Sequence, residues 1–228
     1  MYKVSIKPEE MEKLPLAGFQ GEIQVIDKKG LKYLRALDYL NRQQVIGFDT
    51  ETRPTFSPTQ KSYGVSLLQL SGPDKAFLFR VKLLGMTPRL CRLMANEKIA
   101  KVGAATADDV RGLQRHAKFK PAAFIDLQKI VWEYGIKDKS VKKMACIILG
   151  FRISKTQQLS NWEAEVLSEA QKRYAATDAW VCREMYLKLL ASEKNPLDAE
   201  ELMPPPQPPQ PAVEAKPETN GKNRPKKK

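Results

Sequence analysis

Apolar residues in this chain recur at every second position in some stretches and every third or fourth in others. That repeated switching restricts the fold to a sheet covered by helices. EIQVID (22–27) reads as an edge strand, and LKYLRALDYLNRQ (31–43) repeats its apolar residues at helical spacing. Val45-Ile46-Gly47-Phe48 opens a buried strand that runs to 51. SYGVSLLQLSG (62–72) and KAFLFRV (75–81) flank a Gly-Pro-Asp turn and predict a hairpin that extends an antiparallel region beside it. The pattern then predicts helix over 87–97, strand over 98–104, helix over 108–117 and strand over 122–127. Residues 128–194 read as helical throughout, with Ser140 and Ser168 as N-caps and Gly150 as a C-terminal stop. The class is α/β, a mixed sheet flanked by helices, without an internal repeat.

The last segment, from Pro196, holds nine of the sixteen prolines and almost no large apolar residue after Met203, so it cannot bury enough surface to fold. The chain divides into a domain over 1–195 and a disordered tail over 196–228. PPPQPPQP suits an extended spacer or a docking peptide for a protein partner, and the closing Arg224-Pro225-Lys226-Lys227-Lys228 could touch nucleic acid. The tail carries six basic and five acidic residues, so nearly all of the net charge of +13 sits on 1–195. A field of that sign attracts phosphate polyanions, although surface lysines kept for solubility give the same sum.

Composition closes other routes. A single histidine, His116, cannot build a His-rich zinc site, and the three cysteines include no C-x-x-C pair. The odd cysteine count and an N-terminus, MYKVSIKPEEMEK, without an apolar core predict a protein that stays in a reducing compartment, the cytoplasm with the nucleus not excluded. No apolar run approaches the length of a membrane span, so no membrane association is expected.

Three fragments carry acids in informative places. In Val45–Glu51, period-two geometry puts Asp49 and Glu51 on one face of the strand, where two carboxylates repel unless cations compensate or the strand has reached solvent. In the last helix Tyr174 and Asp178 share an inward stripe with Ala170, Val181, Met185 and Leu189, as a functional or a structural hydrogen-bonded pair. Asp108 and Asp109 open a helix after KIAKVGA, where acids also serve the helix dipole; Asp109 lies beside the Val110 and Leu113 stripe.

Taken in order, Asp49-x-Glu51, Asp109 four residues before Leu113, and Tyr174-x-x-x-Asp178 resemble the three exonuclease motifs of the DnaQ-like DEDD superfamily in its Tyr-containing subclass. Phe48 to Pro54 and Val65 to Leu70 are similar to the first strands of ribonuclease D and of the Werner-type exonuclease domain. Leu149-Gly150-Phe151 through Lys155, Ser160-Asn161-Trp162, and Leu167-Ser168-x-x-Gln171 resemble the family's path into its third motif. The resemblance covers residues 20–193 and implies a ribonuclease H-like fold. It departs from ribonuclease D in lacking the helical RNA-binding domains that follow the catalytic core there.

The resemblance implies a 3′→5′ exonuclease that hydrolyses terminal phosphodiester bonds of DNA or RNA and releases 5′-mononucleotides. Asp49, Glu51, Asp109 and Asp178 would hold two divalent cations, Mg²⁺ or Mn²⁺, as hard oxygen ligands, with Asp108 the substitute if Asp109 points elsewhere. Tyr174 would orient the attacking water through its hydroxyl. The nucleic acid's 3′ end also needs contacts of its own. Thr50, Phe48 and Leu68 are candidates to wedge the last base, Trp162 to stack on it, and Arg53, Lys155 and the Lys142-Lys143 pair to hold phosphates, with Arg53 and Lys155 favoured. The alternative is a catalytically silent nucleic-acid-binding module of the same fold, which would have no chemical need of all four acids.

Overall fold

Every residue of Val65–Ser71 is buried, which requires a strand in the middle of a sheet covered on both faces. The computed structural model describes residues 1–55 and 63–198. Among these, six strands form one sheet: β1 (Glu22–Ile26), β2 (Val45–Thr52), β3 (Val65–Ser71), β4 (Lys75–Arg80), β5 (Ala100–Gly103) and β6 (Phe124–Asp126), in the order β1-β4-β3-β2-β5-β6. β3 pairs antiparallel with β2 and β4, while β1 with β4, β2 with β5 and β5 with β6 pair parallel. The expected hairpin and the edge position of β1 are both present.

The helices are α1 (Pro8–Glu12), α2 (Leu31–Asn41), α3 (Val81–Leu84), α4 (Pro88–Met94), α5 (Thr106–Gln114), α6 (Leu127–Ile130), α7 (Val141–Leu149) and α8 (Glu169–Leu190), with a 3₁₀ turn at Val131–Tyr134. One core sets Phe48, Leu68 and Phe79 of the sheet against Leu40 of α2, Leu90 of α4 and Leu113 of α5. The opposite face of the sheet meets α8 through small residues, Ala175, Ala176 and Ala179, and α7 packs behind it through Met144 and Ile148.

The expected caps are in place. Ser140 Oγ accepts the Lys143 amide at 3.2 Å, and Gly150 ends α7 at φ 80°. Ser168 and Gln171 form a reciprocal capping box at the start of α8. The helical reading of 128–194 is corrected, because residues 150–168 contain no helix. Their apolar residues, Ile153, Trp162 and Leu167, turn inward without helical spacing, while Ser154 and Asn161 bond backbone amides two residues on and stabilise turns instead. Ala170 is also corrected: it is exposed, not on the buried stripe.

Pro196, Leu197 and Asp198 are described, and Leu197 is buried with its amide bonded to the Trp132 carbonyl. The rest of the expected tail lies outside the described residues. Among those described, no helix is long and apolar enough to cross a membrane.

Candidate active site

Three elements converge where β2 leaves the sheet. Pairing of β2 with β3 becomes irregular between Glu51 and Thr52, a shift of register just past the two acids before Thr52 pairs with Val65. Asp49 and Glu51 share the face that α8 covers, and α8 brings Asp178 down onto them. A carboxylate oxygen from each of Asp49, Glu51 and Asp178 lies within 4.8 Å of the others. Tyr174, one turn before Asp178, hydrogen-bonds to its carboxylate.

Asp109 comes from the first turn of α5, whose Val110 and Leu113 anchor it to the other core. It stands outside the tight trio but acts on the charge of both Asp49 and Glu51. The Thr50 hydroxyl donates to its carboxylate and holds it toward the end of β2. Asp108 faces solvent and pairs with Arg111 one turn on, so the structure turns Asp109, and not Asp108, toward the trio.

Burial and crowding show in the protonation behaviour. Desolvation, with repulsion from Asp178, Asp109 and Glu51 after it, holds the Asp49 carboxyl well above the usual range. Burial and then the charges of Asp178 and Asp109 push Glu51 up to about 8. Burial raises Asp178 to about 7, against the Tyr174 hydrogen bond and the nearby Lys155 ammonium, which both favour its charged form. Burial raises Asp109 to about 6 despite the Thr50 hydrogen bond. Burial and the same carboxylates keep the Tyr174 phenol protonated.

A set of half-buried carboxylates this close is costly without positive charge among them, and Lys155 offsets the charge of Asp178 alone. The donors of the trio are all hard carboxylate oxygens. The cluster fits a divalent cation of the oxygen-seeking kind.

Comparison with known proteins bears on the same residues. Residues 27–192 match the 3′-5′ exonuclease family, a span that includes all four acids and the tyrosine of the site. The chain belongs to this 3′-5′ exonuclease family. Among curated relatives, it is 31% identical over 156 residues to the bifunctional 3′-5′ exonuclease/ATP-dependent helicase WRN of Mus musculus, covering 66% of this chain and 11% of that protein. It is 26% identical over 193 residues to the exonuclease mut-7 homolog of Aedes aegypti, covering 73% of this chain and 26% of that one. The chain thus spans about a quarter or less of these two proteins. The crystal structure of the Aedes aegypti Nibbler EXO domain superposes with a TM-score of 0.67 at 24% identity, over 77% of this chain and 91% of that one, and shows the same fold.

Within this family member, the other expected substrate contacts fall into two groups. Lys155 stands within electrostatic reach of Asp178. Arg53 lies beyond Glu51, stacked over the Tyr63 ring at 4.7 Å and paired with Glu163 at 3.7 Å. Thr50 borders a cavity of about 230 Å³ that Asp109, Arg111 and Arg115 also line. A second cavity, about 320 Å³, opens on the far side of Tyr174 between Gly18, Ser154, Thr156 and Arg173.

The remaining candidates are corrected. Phe48 and Leu68 are buried in the core on the face opposite Asp49, because neighbours along a pleated strand point to opposite sides. Trp162 is fully buried and packs against Tyr174 with ring centroids 5.9 Å apart, so it supports the tyrosine and offers no face to a base. Lys143 is bound to Asp138 at 2.8 Å, and Lys142 lies beside Cys146.

Glu163 was not anticipated. It accepts from Ser66 Oγ at 3.1 Å and faces Lys82 at 3.6 Å as well as Arg53. Its place next to Trp162 is visible in the sequence, but its partners lie just past β2, on β3 and on α3.

Proposed function

We propose that the chain is a metal-dependent 3′→5′ exonuclease that shortens DNA or RNA one nucleotide at a time. The observation that carries this reading is the meeting of three carboxylate oxygens from β2 and α8 within 4.8 Å, with the Tyr174 hydroxyl on the Asp178 carboxylate. Family membership and a net charge of +13 supply the reaction class and the polyanionic substrate.

Asp49, Glu51, Asp178 and Asp109 would hold two divalent cations, Mg²⁺ or Mn²⁺. When bound, these supply positive charge against the phosphoryl oxygens and acidify the attacking water. The chain's own residues do the positioning. Tyr174, held protonated, donates its hydroxyl to Asp178, so its oxygen accepts a hydrogen bond from the water and aligns it without acting as a free base. Thr50 keeps Asp109 turned inward. Lys155 stands where a phosphate would approach Asp178, and Arg53 lies beyond Glu51 for the next phosphate along. Water adds to the terminal phosphorus, the bond from phosphorus to the 3′ oxygen breaks, and the shortened strand keeps a 3′ hydroxyl while a 5′-mononucleotide leaves.

The test uses 5′-labelled DNA and RNA oligonucleotides with free and blocked 3′ ends. A descending ladder that needs Mg²⁺ or Mn²⁺, stops with chelator and is lost in folded Asp49→Asn, Asp178→Asn and Asp109→Asn supports the reading, with Asp108→Asn close to wild type. Retention of the oligonucleotide without any ladder under all these conditions would support the silent binding module instead.

A further inference from the structure

Gln69 is completely buried, and neither polar atom of its side chain has a hydrogen-bond partner. Among the described residues only Trp162 Nε1 shares that condition. A primary amide carries two N–H donors and an acceptor oxygen, and leaving them unpaired inside a protein costs more than an apolar side chain of the same shape would. An unpaired buried amide in the middle strand of a sheet therefore calls for a reason.

The register supplies one. Gln69 of β3 stands directly opposite Asp49 of β2 and, on its other side, opposite Leu78 of β4. Directly opposed residues in an antiparallel pair project to the same face with Cβ atoms about 4.5–5.5 Å apart. On that face the neighbours Leu67 and Leu78, and Ala175 of α8 above them, offer no side-chain acceptor. Ser71, two residues along the strand, has its hydroxyl on the Gly72 carbonyl at 2.8 Å. Across the ladder stands the Asp49 carboxylate, which accepts the Thr50 backbone amide. A carboxylate has room for several donors, and one that ligates a metal is oriented by the hydrogen bonds made to its remaining lone pairs.

We propose that Gln69 is a positioning residue for Asp49: its amide N–H, directly across the β2–β3 ladder, bonds the Asp49 carboxylate and fixes the direction in which that ligand faces the metal site. The terminal torsion of a glutamine amide is soft, so the bond asks for a reorientation of the Gln69 amide and not for a change in the β2–β3 register. The role explains why a polar residue is retained where packing alone would favour leucine or methionine. It rests on the metal-site reading above.

The experiment compares wild type with Gln69→Leu, Gln69→Met and Asp49→Asn by three measurements: thermal unfolding without metal, Mn²⁺ binding by calorimetry, and kcat and KM on an oligonucleotide. Metal-free Gln69→Leu and Gln69→Met should be as stable as wild type or more so. Their Mn²⁺ dissociation constant should rise about ten-fold or more, the scale on which outer partners of metal ligands act. kcat should fall with KM for the oligonucleotide little changed. A purely structural glutamine gives the reverse, a loss of stability with unaltered Mn²⁺ affinity. Mn²⁺ affinity within two-fold of wild type in both folded Gln69 variants overturns the proposal, as does failure of both to fold. The two readings separate cleanly: if wild type binds no Mn²⁺, or Asp49→Asn binds it equally well, the metal site falls; if only the Gln69 variants behave like wild type, the role of Gln69 falls alone.

Discussion

The carbonyl oxygen of Ala179 lies 1.8 Å from the point where a Cβ on Gly47 would stand, so α8 rests on the bare backbone of β2. Real Cβ atoms do not tolerate such an approach, and the obstacle is main chain, which cannot swing aside. That contact sets the depth at which Asp178, the residue before Ala179, meets Asp49, two residues after Gly47. Gly47→Ala should lift the helix from the strand, destabilising the fold by about 1–3 kcal/mol or more and opening the carboxylate trio. Urea unfolding together with Mn²⁺ titration checks both parts, and a Gly47→Ala protein with unchanged stability would mean that α8 does not sit this close.

Thr50 does a different job from its neighbours on β2. Its hydroxyl is spent on Asp109, which has no partner among the tight trio to hold it in place. Thr50→Val keeps the shape and the β-branched preference of the strand but removes the donor. Stability should change by no more than about 1.5–3 kcal/mol, the net worth of a hydrogen bond to a charged group. Exonuclease activity should nevertheless drop about ten-fold, and Thr50→Ser should restore most of it. Steady-state kinetics on one oligonucleotide with the three proteins decides the matter.

The raised carboxyls give the metal-free protein an unusual pH profile. Asp109, Asp178 and Glu51 titrate at about 6, 7 and 8 when folded, above their ordinary values of 3.8, 3.8 and 4.5. Between those limits the folded state holds more protons than the unfolded one, so stability falls as pH rises. The favourable contribution is complete below about pH 4 and is lost as pH climbs through 6 to 8. Divalent cations oppose the same repulsion, so the gain in melting temperature on adding Mg²⁺ or Mn²⁺ should grow with pH. Melts at several pH values between these limits, with chelator and with each ion, test the sign; a metal-free protein that grows steadily more stable from acid to neutral pH contradicts it.

The parts of the site that could be read from the sequence are those set by local geometry. Asp49 and Glu51 share a face because strands repeat every two residues, and Tyr174 and Asp178 share one because helices nearly repeat every four. The same pleat explains the error over Phe48 and Leu68. Both alternate away from Asp49 into the opposite core, and counting parity along β2 and β3 would have removed them. Residues 150–168 depart from the helical expectation for another reason. Their conformation is fixed by Trp162 and Leu167 packing under α8 and by side chains bonding nearby amides, and neither leaves a periodic trace. Glu163 is invisible for a related cause, since Arg53 from the loop after β2, Ser66 from β3 and Lys82 from α3 reach it from separate parts of the chain.

Glu163 is the acid between two cations, Arg53 and Lys82, beside a site built to receive a polyanion. Its carboxylate spaces the two cations, yet its negative charge subtracts from the attraction they exert on phosphate. Glu163→Gln keeps the side chain's size and its ability to accept from Ser66, and leaves Arg53 stacked on Tyr63. The freed charge should lower KM for an oligonucleotide about two- to five-fold at low ionic strength, with kcat little changed, because added positive charge strengthens phosphate contacts and not the chemical step. The gap should narrow as salt is raised. If KM rises instead and stays salt-independent, Glu163 is needed to hold Arg53 in place, and the ion cluster serves the fold of the 150–168 segment more than the binding of substrate.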